Sequence, residues 1–198
     1  MSVWSFHSAG SLIFGSGSIK KLGTVCHEMG IRRALVITDK TLAHNGVLAQ
    51  VKEVLETHNI EADIFDDCTP EPPSSIVELA AASARVANPH AIIGLGGGSN
   101  IDTAKLVSLL LAHGGKLDDY VGDCRVPGKI HPLICIPTTS GTGSDVSAAA
   151  VYTDSQKQMK VSCLSPFLRP AKAIVDPLLT IGCPAKVTAD SGIDALTH

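Results

Sequence analysis

The run Ala91-Ile92-Ile93-Gly94-Leu95-Gly96-Gly97-Gly98-Ser99-Asn100-Ile101-Asp102-Thr103-Ala104-Lys105 constrains this chain more than any other. Ala91 to Leu95 is a short continuous apolar stretch, the pattern of a strand buried on both faces. It passes directly into consecutive glycines, and Ile101 to Ala112 then repeats at helical spacing until Gly114-Gly115. Glycine lets the backbone turn sharply and lets a ligand approach it closely. The N–H groups and dipole at the helix start favour an anion such as a pyrophosphate. The run is not the Rossmann fingerprint, because Ser99 stands where the third glycine is required, and no Walker A sequence occurs. A glycine turn between strand and helix is also ordinary geometry, so the reading needs support from elsewhere in the chain.

The flanking sequence repeats the same alternation. Ile19, Leu22, Val25, Cys26 and Met29 recur at helical spacing and Gly30 closes that run, before the strand Ala34 to Ile37. Val47, Leu48, Val51, Val54 and Leu55 form a second helical stripe, and Ile60, Ala62 and Ile64 alternate as in a strand. After Pro70-Glu71-Pro72-Pro73, Ser74 or Ser75 can cap a helix with the stripe Ile76, Leu79, Ala80, Ser83 and Val86, stopped by Asn88-Pro89. Leu133 to Ile136 is a further strand. Val146 to Thr153 and Met159 to Leu164, joined through Asp154-Ser155-Gln156-Lys157, read as a β-hairpin. Ala171 to Val175 returns as a strand, and Pro184 to His198 reads as a helix. Strands and helices in alternation with short connections predict an α/β fold with a Rossmann-like parallel sheet, helices on both faces, and the added hairpin.

Composition narrows the partners. With 44% hydrophobic residues among 198, the chain can build a sizeable core, and its net charge of -3 has no block of like charge. Nucleic acid would call for a basic face and a membrane surface for a basic amphipathic stretch; the sequence shows neither. Apolar runs such as Leu106 to Ala112 are too short to span a bilayer. Met1 to Ser5 carry no basic, then apolar, leader pattern. The six cysteines form no C-x-x-C pair, which reads as buried free thiols in a reducing cytoplasm.

A second loop supports the first. Pro137-Thr138-Thr139-Ser140-Gly141-Thr142-Gly143-Ser144-Asp145 again places hydroxyls and glycines directly after a strand. Ligands of open parallel sheets bind at the carboxyl ends of the strands, so two such loops on neighbouring strands would face one crevice. Asp39, closing the strand Ala34 to Ile37, suits an adenosine ribose and would repel a 2′-phosphate, favouring NAD over NADP; it equally suits a helix N-cap. Asp194 and His198 lie one turn apart on one helix face, a spacing that can hold a divalent metal but more often makes a surface pair or cap. The other seven histidines are scattered and read as mostly solvent-facing.

Together these stretches resemble the iron-containing (group III) alcohol dehydrogenase family. The likeness is carried, in order, by Leu12-Ile13-Phe14-Gly15-Ser16-Gly17, by Gly96 to Ser99 with Asp102 and Lys105, by Pro137 to Asp145, by Asp176-Pro177, and by Thr188 to His198. The resemblance implies an α/β domain that binds the dinucleotide, a helical domain, and an active site in the cleft between them. On this likeness Gly97, Gly98 and Ser99 hold the pyrophosphate with Thr138, Thr139 and Thr142, and Asp39 faces the adenosine ribose. Lys160 reaches the cofactor, while Asp102 and Leu179 belong to the cofactor site. Asp194 and His198 become the first two ligands of Fe²⁺, or alternatively Zn²⁺. The reaction implied is hydride transfer between NAD(H) and a primary alcohol or aldehyde, the metal acting as Lewis acid. The family also implies a homo-oligomer, a dimer, of the full-length enzyme.

Two positions depart from the family. Glu71 stands where many relatives carry Asn near the cofactor, and Asn100 replaces a common Pro. The remaining metal ligands of the family are histidines of the helical domain. The chain is therefore read as residues 1–181 of nucleotide-binding domain and 182–198 of a first helix, a fragment or truncation that binds NAD weakly without turnover. Within the superfamily, a glycerol dehydrogenase or dehydroquinate synthase is the neighbouring reading; Ser99 and the Asp-Ala-Leu-Thr-His ending favour the alcohol dehydrogenase branch. A non-catalytic nucleotide-binding module is the alternative from a different class.

Overall fold

The structure, a computed structural model, describes residues 9–155 and 157–197. The leader reading of Met1 to Ser5, the turn position Gln156 and the metal role of His198 lie outside the described residues.

Six strands form a parallel sheet: β1 (Leu12–Phe14), β2 (Arg33–Ile37), β3 (Glu61–Phe65), β4 (Ala91–Gly96), β6 (Leu133–Pro137) and β9 (Lys172–Val175). Their order is β1-β9-β6-β4-β2-β3. The remaining strands, β5 (Gly122–Asp123), β7 (Ala149–Asp154) and β8 (Met159–Leu164), make a small second sheet. Within it β7 and β8 form the antiparallel hairpin expected from sequence.

The helices are α1 (Leu22–Glu28), α2 (Lys40–His44), α3 (Val47–Thr57), α4 (Ser74–Ala87), α5 (Gly98–His113) and α6 (Ala185–Thr197). Strand residues alternate between two cores, as the pleat requires. Leu35, Ile37, Ile92, Leu133 and Cys135 join the cluster under α4 and α5, whereas Val36, Ile93, Leu95, Ile134 and Ile136 join the one under α1 and α3. Ala150, Tyr152 and Cys163 bring the hairpin into the α4–α5 core. Helices thus cover both sheet faces, and this is why the central strands β2, β4 and β6 read as apolar runs while the edge strand β3 alternates.

Several local expectations need correction. The inward face of α4 is Val77, Ala80, Ala81 and Ala84, while Leu79 is 52% and Val86 88% exposed. Small alanines let α4 pack closely on α5, so the buried stripe follows the small residues and not the large ones. Pro73, and neither serine, is the N-cap of α4. The run from Ile19 begins as a 3₁₀ turn over Ser18–Lys21 before α1 starts. The N-cap reading of Asp39 holds, and the helix it caps, α2, is an element the periodicity did not show. Of the histidines, His27, His44 and His90 are exposed, but His58, His113 and His131 are half-buried against main-chain carbonyl oxygens.

All six cysteines are free thiols. Burial pushes the Cys26, Cys68 and Cys135 thiols up to about 12, so they stay protonated and inert at neutral pH. No helix among the described residues is long and apolar enough to cross a membrane.

Candidate functional site

Because the sheet is parallel, the loops that follow β2, β4 and β6 leave its same edge. The chain runs from β2 outward to β3 and then returns to the other side of β2 as β4, so the direction of winding reverses between β2 and β4. Such a switch point opens a crevice beyond the strand ends.

Gly96 ends β4 with φ at +141°, and a Cβ there would sit 2.0 Å from the Asn100 amide nitrogen. Only glycine fits. The first bond of α5 runs from the Ile101 N–H to the Gly97 carbonyl (3.1 Å), so the amides ahead of it face out of the helix end. The Thr138 N–H donates to the Gly96 carbonyl (3.0 Å), tying the second loop to the first. A Cβ on Gly98 would come within 2.8 Å of the Thr142 methyl, so bare backbone at Gly98 is what allows the two loops to touch.

Asp39 uses both carboxylate oxygens. One caps α2 by accepting from the Leu42 N–H (3.0 Å), and the other accepts from the Asn100 side-chain amide (2.7 Å). Asn100 also donates to the Leu95 carbonyl (3.0 Å). It therefore links the end of β2 to the first turn of α5, a part that its apparent equivalence to proline did not suggest.

Lys105 is buried and Asp102 half-buried, one turn apart on α5. The Ser144 hydroxyl and the Val151 N–H donate to Asp102. Lys105 donates to the Ser147 carbonyl and hydroxyl and to the Ala149 carbonyl, the last at 2.6 Å. These bonds clamp the second loop and the hairpin to α5. Burial raises the Asp102 carboxyl above the usual range, against the pull of Lys105, and burial lowers the Lys105 ammonium, against the pull of Asp102.

These elements enclose a cleft of about 710 Å³. Gly98, Ser99, Asp102, Thr142, Lys160 and Asp194 line it, brought together from α5, the second loop, the hairpin and α6. Thr138 is buried in the connection between the loops, and Asp39 lies at the neighbouring strand end, engaged as described. The Leu179 side chain sits in the α1–α3 core and not on the cleft wall. Lys160 reaches across the mouth to the Glu71 carboxylate (2.7 Å). Neither this ion pair nor the Ser144–Asp102 bond has a local signature, since the partners are far apart in sequence. Among the described residues no three potential metal donors gather, and Asp194 is the one proposed ligand with a described position.

The comparisons with known proteins agree with this geometry. The family model for iron-containing alcohol dehydrogenase matches residues 9–177. The NAD-dependent methanol dehydrogenase of Bacillus methanolicus is 35% identical over 186 residues, which is 94% of this chain and 49% of that enzyme. A crystal structure of 1,3-propanediol oxidoreductase superposes with a TM-score of 0.96 at 33% identity, covering 100% of this chain and 52% of that one. The sulfoacetaldehyde reductase from Bifidobacterium kashiwanohense, solved in complex with NAD+, gives a TM-score of 0.90 at 28% identity, covering 98% of this chain and 51% of that one. The chain spans about half the length of the curated relatives it matches.

Proposed function

The chain belongs to the iron-containing alcohol dehydrogenase family, and from that premise we propose that its cleft receives NAD(H) for hydride transfer to and from a primary alcohol or aldehyde. One observation carries the proposal: two glycine- and hydroxyl-rich loops, on adjacent parallel strands, are bonded together at the N-terminus of α5 beside a switch point. Backbone amides at Gly97, Gly98 and Ser99 receive the pyrophosphate, helped by the hydroxyls of Thr138, Thr139 and Thr142. Asp39, positioned by Asn100, faces the adenosine ribose and disfavours a 2′-phosphate. Lys160 meets the cofactor from the hairpin. Asp102 acts through the loop and hairpin that it holds, and Leu179 supports the sheet beneath.

Residues 1–181 form the nucleotide-binding unit and 182–198 the first helix of the metal-binding one. Asp194, with His198, is what this chain offers to a ferrous or zinc ion, which would supply Lewis-acid stabilisation of the alcohol oxygen. A single placed carboxylate does not hold such an ion, so turnover requires donors beyond the described residues. The complete enzyme is a cytoplasmic homo-oligomer, at its simplest a dimer.

Calorimetric titration tests the reading. NAD+ should give a measurable heat, NADP+ a weaker one, and short primary alcohols with ferrous or zinc ion should give no appreciable turnover by this chain. Absence of heat with either nucleotide would overturn the assignment of the cleft.

A further inference from the structure

The cleft is lined by three carboxylates, Glu71, Asp102 and Asp194, and among its described lining residues by one cation, Lys160. That cation is already paired. Glu71 holds Lys160 at 2.7 Å, and the arrangement is built from both sides. Thr153 and Lys160 face each other across the hairpin. Thr153 grips the Glu71 main chain, its hydroxyl donating to the Glu71 carbonyl (3.1 Å) and its N–H to the Pro72 carbonyl (2.8 Å). The Glu71 N–H donates in turn to the Ser99 hydroxyl (3.2 Å), in the first turn of α5. Glu71 keeps a left-handed backbone, φ +51°, that glutamate seldom adopts. Its carboxylate is thus presented at the cleft mouth by contacts to the two elements proposed to hold the cofactor.

We infer that Glu71 is a counter-ion that occupies Lys160 until an incoming dinucleotide displaces it, so that cofactor binding is weakened by competition within the protein. This rests on the dinucleotide reading of the cleft. Free Lys160 would attract a phosphate-bearing ligand; paired Lys160 attracts it less, and the remaining lining charge is negative. The chain therefore gives up affinity for the cofactor, which favours release.

Titration of NAD+ and NADH into the 198-residue chain carrying Glu71→Gln, and separately Glu71→Asn, tests this, asparagine being the better fit to the left-handed backbone. Both variants should bind about two- to fivefold more tightly, the range expected for freeing one member of an exposed ion pair. The gain should vanish toward about 1 M salt, where the Debye length is only about 3 Å. Lys160→Met should weaken binding more in the Glu71→Gln background than in the parent. Equal or weaker binding by both Glu71 variants, or the same Lys160→Met effect in both backgrounds, would overturn the counter-ion role while leaving the cleft assignment intact. Failure of parent and variants alike to bind either nucleotide would remove the cleft assignment and this inference with it.

Discussion

Asn100 shows how much a single side chain can carry at the junction of two strand ends. It is buried, and its amide donates both to Asp39 and to the Leu95 carbonyl. Asn100→Ala should remove this donor from both acceptors at a half-buried junction, costing about 1–3 kcal/mol in chemical denaturation. Asn100→Asp should cost more, because it sets a second carboxylate beside Asp39. A loss below about 0.5 kcal/mol for the alanine variant would mean that the link contributes nothing beyond an ordinary surface substitution. The sequence made Asp39, Gly98, Ser99 and Thr142 legible because each belongs to a turn whose chemistry is local. It showed Asn100 only as a replacement for a common proline, and Glu71 only as a departure from asparagine near the cofactor, without the contacts that either makes. Their partners, Asp39 and Lys160, lie 61 and 89 residues away, and no periodicity encodes contacts of that range.

Among elements, α5 is the one on which the site depends, since it presents the anion-binding turn at its start and anchors the hairpin along its side. The anchoring passes through Asp102 and Lys105. A carboxyl whose pKa is raised by folding binds protons more readily in the fold, so its contribution to stability falls as pH rises past the unfolded value of about 3.9. Lys105→Met removes the charge that opposes this rise and leaves the Ser147 and Ala149 carbonyls without their donor. The loss measured by urea denaturation should reach about 3 kcal/mol near neutral pH, because a buried charged donor is removed from the Ser147 and Ala149 acceptors. It should shrink as the pH falls toward and below about 3.9, as Asp102 becomes protonated first in the folded chain and then in the unfolded one. An equal loss at both pH values would mean that Asp102 is not the group left uncompensated. Strand periods and glycine breaks revealed five of the six strands of the main sheet and the hairpin, whereas β1 was legible only through the family resemblance of Leu12 to Gly17. They placed Ile76 and Ala80 of α4 on the core but put Leu79 and Val86 there as well, because helical periodicity ranks residues by size and hydrophobicity, whereas close packing on α5 selected Val77, Ala81 and Ala84.

At the scale of the whole molecule, the apolar residues outside the two cores collect toward the end of the chain. α6 contributes no buried residue, and Ile193 and Leu196 are 64% and 85% exposed, with Leu178, Ile181 and Val187 also open to solvent. Single exposed leucines are ordinary, but five large apolar side chains within residues 178–196, next to a cleft that Asp194 helps to line, are not covered by anything described here. Exposed apolar surface of this kind drives association, so the chain by itself should self-associate in light scattering and bind a hydrophobic dye. Replacing Ile193 with Lys and Leu196 with Glu should reduce both signals. Because neither side chain belongs to a core, the same double substitution should leave the unfolding free energy within about 0.5 kcal/mol of the parent. A monodisperse monomer with no dye-binding surface would count against this account, and a large loss of stability would show that α6 is held by more than its present contacts. The two measurements separate a surface that awaits a covering element from one that is merely part of an independent fold.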